Sequence, residues 1–287
     1  MVTRRAPVRT PAFHVGQLFT GTIRCWIAGL LPTTVLSVLF YLPLFAIAYL
    51  LFREAALRIE TIDDVLALQS KLRIWAGARV GGAVLLGAAA IAAITHGVVE
   101  RLRGRSAGVA GGLAATGRRL GTVLLTAVVL ALMTLVIFVV VAFIAGMLLV
   151  SRTRPGEPPS AFALVLTALA FGGIFVLLVS RYLVAIPAAL LERVGPVQAI
   201  GVSSRLTAGS RGAIALATIA FVTFGWLLNR YVVAPRVDTV FLGATSDVAI
   251  TALLTTPLVA SASAFAYQRL KLHKDGINIL DAAKVFD

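Results

Sequence analysis

Residues 122–150 have the sequence TVLLTAVVLALMTLVIFVVVAFIAGMLLV, which contains no charged side chain. A helix needs about 20 predominantly apolar residues to cross the hydrocarbon core of a bilayer, and this stretch exceeds that length. The rest of the chain has the same character, since 59% of its 287 residues are hydrophobic, 13% are charged and the mean hydropathy is +0.96. A soluble domain has about twice that charged fraction. The composition therefore predicts an integral membrane protein and excludes a soluble or disordered chain.

Five further segments are long and apolar enough to cross a membrane. The six predicted spans are residues 28–52, 77–97, 122–150, 161–189, 213–233 and 248–267. The second span is rich in glycine and alanine, and we expect Gly77, Gly81 and Gly87 to let helices approach closely inside the bundle. The alternative is that this weaker segment is marginal and partly interfacial. The pattern predicts an all-α fold, a polytopic integral membrane helical bundle with six transmembrane helices.

The distribution of Lys and Arg predicts how the chain is oriented. If the amino terminus is cytoplasmic, the inner segments hold 17 of the 26 basic residues. These inner segments are residues 1–27, 96–121, 181–212 and 268–287. Because basic residues in short loops stay on the cytoplasmic side, we expect both termini to be cytoplasmic in a bacterial plasma (inner) membrane. The chain is then divided into a cytoplasmic tail with an interfacial helix (1–27), a six-helix domain (28–267) and a second cytoplasmic tail (268–287).

Similar segments precede the first, third and fifth spans. They are, in chain order, GQLFTGTIRCWIAGLL, GVAGGLAATGRRLGTVLL and GPVQAIGVSSRLTAGSRGAIAL. Each combines small and apolar residues at helical spacing with an arginine just before the span. This predicts three pseudo-repeated hairpins with cytoplasmic interfacial amphipathic helices. The alternative is that any basic segment entering a membrane has these features.

Two further predictions concern the membrane surfaces. On the inner side, we expect Arg118, Arg119, Arg205 and Arg211 to contact anionic lipid headgroups. On the outer side, residues 53–76 have apolar residues at helical spacing between mixed charges. That pattern predicts a short amphipathic helix lying on the outer surface.

The fourth span and the segment after it contain the most distinctive motifs of the chain. They are RYLVAIP at residues 181–187, ERVGPVQA at 192–199 and SSRLTAG at 203–209. Pro187 has no amide proton and should bend or end the span near the inner face. Gly195 and Pro196 favour the start of a new helix, and Gly209 can end that helix by adopting a positive φ. The motifs therefore predict an elbow with a helix at the inner interface.

These motifs, together with YQRLKLHKDG at residues 267–276, resemble the membrane domain of glycerophosphodiester phosphodiesterases and related six-span bacterial membrane protein families of unknown function. The shared pattern is an arginine and a proline late in a span, then Glu-x-x-Gly, Ala, Ser, Leu-Thr and Gly. It closes with Tyr-x-x-Leu-Arg-x-Arg-x-Glu-Gly, in which Asp275 replaces the Glu. The resemblance implies a six-span membrane domain. In those phosphodiesterases the hydrolase is a separate soluble barrel, and this sequence contains nothing that could supply it.

The motif residues form the candidate structural or ligand-contact site. Its members are Arg181, Pro187, Glu192, Gly195, Ser203, Thr207 and Gly209. Two interpretations remain open, an architectural elbow and a ligand or partner site made of the same residues. A charge inside a span is costly and often functional, which makes Arg181 a candidate functional residue. The alternatives are that its side chain reaches the lipid phosphates or pairs with Glu192.

The sequence has no recognisable catalytic or cofactor-binding constellation. His14, His96 and His273 are far apart and Cys25 is the single cysteine, so we expect no metal site. The motifs G-x-S-x-G, G-x-x-x-x-G-K-[ST] and H-E-x-x-H are missing. The net charge of +14 would suggest nucleic acid in a soluble chain, but the basic segments lack interleaved aromatic residues. We therefore predict no enzyme activity, no cofactor and no nucleic-acid partner.

Two functional hypotheses follow from these observations. The first is a non-enzymatic integral membrane protein that acts as a scaffold, assembly or regulatory subunit and binds lipid, another membrane protein or a second copy of itself. The alternative is a transporter or permease for a lipid-like or small amphipathic substrate, which the repeat and the prolines within the spans favour. An enzyme acting on lipid headgroups is the weakest of the interpretations.

Overall fold

The computed structural model describes residues 14–53, 62–106, 108–152, 161–228, 231 and 240–274. Over those residues the chain is helical and contains no β-strand. The helices are α1 (Val15–Ala28), α2 (Leu30–Phe52), α3 (Ile62–Leu102), α4 (Val109–Arg152), α5 (Ala161–Tyr182), α6 (Ala185–Leu191), α7 (Pro196–Thr207), α8 (Arg211–Leu228), α9 (Val240–Ile250) and α10 (Thr256–Lys274). A π-helical turn, Thr251–Thr255, joins α9 to α10. The predicted all-α fold is confirmed.

Five helical segments of the described chain are long and apolar enough to cross a membrane. They are Leu30–Phe52, Leu66–Leu102, Val109–Met147, Val165–Leu191 and Gly243–Lys274. A sixth qualifies only if α7 and α8, which are bent by 101° relative to each other, are taken as one broken span. The predicted span at 213–233 corresponds to α8. The chain is therefore compatible with a multi-pass membrane protein of five or six spans.

The buried core is concentrated at one end of the bundle, which we call the packed end. Here α1, α6 and α7 pack against the C-terminal parts of α3 and α10 and the N-terminal part of α4. Leu18, Ala188, Ile214 and Tyr267 belong to one buried cluster at this end, although they come from four different helices. The described N- and C-terminal regions also meet here, since α1 packs along α10. Both ends of the described chain therefore lie on the same side of the bundle.

Helix α3 is longer than the predicted second span. It continues without a break through 41 residues, which corresponds to about 60 Å at a rise of about 1.5 Å per residue. The prediction of a separate surface helix at 53–76 is wrong for residues 62–76, which form the beginning of α3. No glycine or proline occurs between Ile62 and Ala76 to end the helix. Residues 54–61 lie outside the described residues.

The close helix contacts are made by different glycines from those predicted. A Cβ on Gly87 would stand 3.0 Å from the Tyr41 hydroxyl, as expected for a close approach of α3 and α2. Gly77 and Gly81 have no atom within 4 Å of that position, so their prediction is wrong. The closest approach to the backbone of another helix is instead at Gly112 on α4, where a Cβ would stand 2.8 Å from the carbonyl oxygen of Ala93. Burial is heavier in the C-terminal half of α3, while in the N-terminal half Trp75 is buried against the Phe52 ring in a second core cluster with α2 and α9.

Large apolar side chains are exposed along α4 and α5, away from the packed end. The α4 members include Leu132, Leu135, Val136, Val139, Val140, Phe143, Ile144 and Met147, and the α5 members include Val165, Leu166 and Leu169. We call this surface the apolar flank. The two helices touch through the rings of Phe138 and Phe171, whose centroids are 5.3 Å apart. A surface of this kind suits contact with lipid chains or with another apolar helix.

Candidate functional site: the elbow between α5 and α8

The elbow begins where the fourth predicted span stops being helical. Helix α5 ends at Tyr182 and α6 starts at Ala185, so the break lies just before Pro187. Proline has no N–H to donate to the carbonyl four residues earlier, and its ring clashes with that carbonyl. In this chain that carbonyl belongs to Leu183. Pro187 was predicted to bend or end the span; the α-helix is interrupted over Leu183 and Val184, and the candidate span continues through Pro187 to Leu191.

The break leaves the last carbonyl groups of α5 without helical partners, and α7 supplies replacements. The hydroxyl of Ser203 donates to the main-chain carbonyl oxygen of Arg181 at 3.0 Å. The hydroxyl of Thr207 lies 3.2 Å from the same oxygen and 3.0 Å from the carbonyl oxygen of Ser203 in its own helix, so its single proton is shared between two acceptors. Both donor residues are fully buried. These two hydroxyls therefore attach α7 to the end of α5.

The guanidinium of Arg181 lies on the exposed side of the same junction. Its Nε donates to Oγ of Ser204 at 2.9 Å, and its Cζ lies 5.4 Å from the centroid of the Tyr182 ring. Arg211 donates to the main-chain oxygen of Ser204 at 3.0 Å. Two arginines, one from α5 and one from α8, thus bind the same serine of α7.

Glu192 is bound by α10 and not by Arg181. Its carboxylate accepts a hydrogen bond from the hydroxyl of Tyr267 at 3.0 Å and forms an ion pair with Lys271 at 3.0 Å. The expectation that Arg181 could pair with Glu192 is therefore wrong in this structure. The reason is position, because Glu192 lies in the turn after α6, on the side that faces α10.

Both ends of α7 follow the local rules that the sequence indicated. Gly195 precedes the helix with Pro196 in the first turn, and the Gly195 amide donates to the side-chain oxygen of Gln198 at 3.4 Å. After the helix, Gly209 has a φ of +95°, which L side chains rarely adopt. The chain changes direction there by 101° between α7 and α8. The positive φ predicted for Gly209 is confirmed.

The two stretches that carry the family resemblance meet in space. Tyr267 and Lys271 of the C-terminal motif reach Glu192, and Lys274 donates to the main-chain oxygen of Arg205 on α7. In the sequence, Tyr267 and Lys271 stand out only as part of the resemblance. Their pairing with Glu192 spans more than 70 residues of chain, so no local pattern could have identified it.

The four arginines that were predicted to contact lipid headgroups belong to α4, α7 and α8. Arg118, Arg205 and Arg211 are exposed, and Arg119 is half-buried near the start of α4. Helix α4 packs against α7, so both arginine pairs belong to the packed end. Contact with lipid headgroups stays a prediction.

The histidines and acidic residues of the described chain do not cluster. No group of three His, Cys, Asp or Glu side chains among these residues has the arrangement needed to hold a metal ion. His14 precedes α1, His96 lies within α3 and His273 lies near the end of α10. The elbow is therefore built from hydroxyl, guanidinium and carboxylate groups that bind one another.

Comparison of the chain with protein-family models, with curated proteins and with solved structures finds no match.

Proposed function

We propose that this chain is a non-enzymatic integral protein of the bacterial inner membrane that acts as a scaffold, assembly or regulatory subunit and binds lipid or another membrane protein. We further propose six crossings with both termini in the cytoplasm, and kinship with the membrane domain of the glycerophosphodiester phosphodiesterases. The packed end, with its interfacial helices, is then the cytoplasmic end. The apolar flank faces lipid or a partner helix.

The observation that carries this proposal is that the polar groups of the elbow form hydrogen bonds with one another. The side chains of Ser203 and Thr207 donate to a main-chain carbonyl, and Glu192 accepts from Tyr267 and Lys271. Polar groups that bind one another in this way fix the path of the chain and are not poised for a reacting substrate. The geometry favours the architectural interpretation of the elbow over a ligand site made of the same residues.

The charge distribution supports the proposed orientation. Arg181, Arg205 and Arg211 belong to the packed end, as do Arg101 and Arg269 near the ends of α3 and α10. Excess positive charge at one end of a bundle favours the cytoplasmic side and the anionic headgroups found there.

A specific irregularity supports the alternative, a transporter or permease for a lipid-like or small amphipathic substrate. The π-helical turn Thr251–Thr255 interrupts the last span just before Pro257. In that region Thr256 shares a buried hydrogen bond with the Tyr41 hydroxyl at 3.1 Å. Interruptions of this kind are frequent at functional sites, including those of transporters.

Two measurements on the purified full-length chain separate the hypotheses. The first is native mass spectrometry after extraction in mild detergent, for which we expect bound lipid, a partner chain or a second copy at a fixed stoichiometry. The second is reconstitution in liposomes with a fluorescent short-chain phospholipid, for which we expect the rate of transfer between leaflets to equal that of protein-free liposomes. Protein-dependent transfer would overturn the scaffold proposal in favour of the transporter. Loss of every bound component in the first measurement would also contradict it.

A further inference from the structure

A cavity of about 600 Å³ lies at the packed end between α1, the C-terminal part of α3 and α10. It is separate from the elbow, and none of the candidate residues named above lines it. Each of the three helices contributes one arginine to its wall: Arg24 from α1, Arg101 from α3 and Arg269 from α10. The rest of the wall is formed by apolar residues, including Leu102 and Phe265, and by residues of α1 that include the polar Gln17 and Thr20.

The three guanidinium groups have no counter-charge in the described part of the chain. No acidic residue lines the cavity, and none of the three arginines forms an ion pair there. The nearest acid in sequence, Glu100, is bound at 3.1 Å by both Arg103 and Arg105. Nη1 of Arg101 is buried and has no hydrogen-bond partner. Arg24 is exposed and Arg269 is half-buried, but a buried guanidinium nitrogen is normally paired, so Arg101 lacks an anion.

The backbone around the cavity is adapted to these side chains. A Cβ on Gly29 would overlap Nη1 of Arg101, so the absence of a side chain at Gly29 lets that guanidinium enter. The guanidinium of Arg269 stacks on the ring of Phe265, with 5.5 Å between Cζ and the ring centroid. That ring lies against Gly21, where a Cβ would also overlap it. Two of the arginines are therefore held in place by specific packing.

We infer that this cavity is a binding site for a phosphate-bearing anion, held by the guanidinium groups of Arg24, Arg101 and Arg269. Planar guanidinium groups match phosphate oxygens with pairs of N–H donors, and three of them supply more positive charge than the one or two negative charges of a phosphate ester require. The apolar wall beside the arginines suits the glycerol and upper acyl segments of a lipid. The inference deepens the lipid-binding part of the proposed function and rests on it. The same chemistry would also accept a soluble phosphate compound.

The single cysteine of the chain lines this cavity and reports on its occupancy. The full-length protein is placed in phosphatidylcholine nanodiscs, and the rate at which N-ethylmaleimide modifies Cys25 is measured at alkaline pH. One arm adds phosphatidylglycerol to the bilayer, and another adds inorganic phosphate or glycerol phosphate at constant ionic strength. At a ligand concentration ten times Kd, the modification rate should fall about tenfold, because the free fraction is 1/(1 + [L]/Kd).

Arginine variants test whether the cavity itself is responsible. Arg24→Gln, Arg101→Gln and Arg269→Gln should each raise Kd about ten- to a hundredfold, since each removes one charge-assisted contact. At the same ligand concentration the protection should then fall to about twofold or less. The matched control is Arg118→Gln, which removes the same single charge from an exposed arginine outside the cavity. The ratio of rates with and without ligand is compared within each variant, because the substitutions change the basal reactivity of Cys25. Arg101→Lys is the control for misfolding. It keeps the positive charge, so a correctly folded protein should retain part of the protection.

The possible outcomes distinguish a lipid headgroup from a free phosphate compound as the bound anion. They also test the cavity proposal separately from the proposed function. Protection by phosphatidylglycerol alone identifies a lipid headgroup, and protection by the soluble compounds as well identifies a site open to free phosphate. No protection in either arm, or equal protection in the variants and the wild type, overturns the cavity proposal. If lipid still co-purifies at a fixed stoichiometry in that case, the proposed function stands without this site. Leaflet transfer together with protection would overturn the scaffold proposal and keep the site.

Discussion

The carbonyl oxygen of Arg181 accepts the hydroxyl of Ser203, 22 residues later in the chain, at 3.0 Å. This bond replaces one that the helix loses where α5 ends ahead of Pro187. The hydroxyl of Thr207 lies 3.2 Å from the same oxygen and 3.0 Å from the carbonyl oxygen of Ser203, so it can donate to Arg181 when the Ser203 hydroxyl is removed. The elbow is thus stabilised by a shared acceptor, which makes the two hydroxyls partly redundant.

This redundancy gives a non-additive prediction. Ser203→Ala and Thr207→Val should each lower the free energy of unfolding by less than about 1 kcal/mol, because the other hydroxyl still binds the carbonyl. The double variant should lose about 1–3 kcal/mol beyond the sum, since a buried carbonyl is left unpaired. The measurement is unfolding in a titration with sodium dodecyl sulfate. Thr218→Val is the control, because its hydroxyl binds only the carbonyl of Ile214 within α8. Additive losses would contradict the shared-acceptor model.

The link between Glu192 and α10 gives the second prediction. Glu192→Ala should destabilise the protein by about 1–3 kcal/mol, since it leaves the buried Tyr267 hydroxyl without its charged acceptor. Lys271→Ala should cost less than about 1 kcal/mol, because the Lys271 side chain is 40% exposed and solvent screens the pair. Thermal unfolding in detergent measures both.

The control for this pair is Arg103→Ala, which breaks an exposed ion pair with Glu100 three residues earlier. Its effect should be below about 0.5 kcal/mol. A larger loss for Lys271→Ala than for Glu192→Ala would show that the ion pair, and not the acceptor for Tyr267, carries the stabilisation.

The contact between α3 and α4 gives a matched pair of glycine substitutions. Gly112→Ala would place a Cβ 2.8 Å from the carbonyl oxygen of Ala93, so the two backbones must separate. We expect a loss of about 1–3 kcal/mol in the free energy of unfolding. Gly111→Ala meets no atom within 4 Å and should be neutral or stabilising by up to about 1 kcal/mol, because alanine favours helix. Equal effects of the two substitutions would contradict the close helix approach.

Local rules explain which parts of this fold could be predicted from the sequence. The uncharged run at 122–150 requires a long apolar helix, and α4 contains all of it. The ends of α5 and α7 follow from the missing amide of Pro187 and from the positive φ that Gly209 tolerates. Each of these inferences depends on residues that are close in sequence.

Contacts between distant segments were not predictable in the same way. The carboxylate of Glu192 was expected near Arg181 because they are close in sequence, yet the fold brings Lys271 to it. The cavity arginines come from three helices, and no motif joins them. The prediction of which glycines lie at close helix contacts was also wrong for Gly77 and Gly81. Glycine-rich stretches contain many candidates, and the contact at Gly112 depends on which helix packs against it.

The thiol of Cys25 gives a prediction of how its alkylation rate and the stability of the protein depend on pH. Burial raises the pKa of its thiol from 9.0 to about 11, and the positive charge of Arg101 partly opposes that rise. Since the thiolate is the reactive form, the alkylation rate should keep increasing from pH 9 to about pH 11 in the folded protein. The folded state holds this proton more tightly than the unfolded state, so stability should fall as pH rises through the same window. Arg101→Gln should move the alkylation profile to higher pH, and an unchanged profile would contradict the proximity of the two groups.

The proposed orientation is tested with reporter fusions, because both ends of the described chain lie on one side of the bundle. Fusions after Arg105, Gly195 and Lys274 should give fluorescent green fluorescent protein and inactive alkaline phosphatase, since all three residues follow segments of the packed end. Fusions within residues 54–61 and 153–160 should give the opposite result, because an odd number of spans separates them from these positions. Adding arginines to the segment 153–160 should weaken this asymmetry if basic residues set it. Active phosphatase after Lys274 would mean that the packed end is extracytoplasmic, and the expected anionic headgroup contacts of Arg118, Arg119, Arg205 and Arg211 would lose their basis.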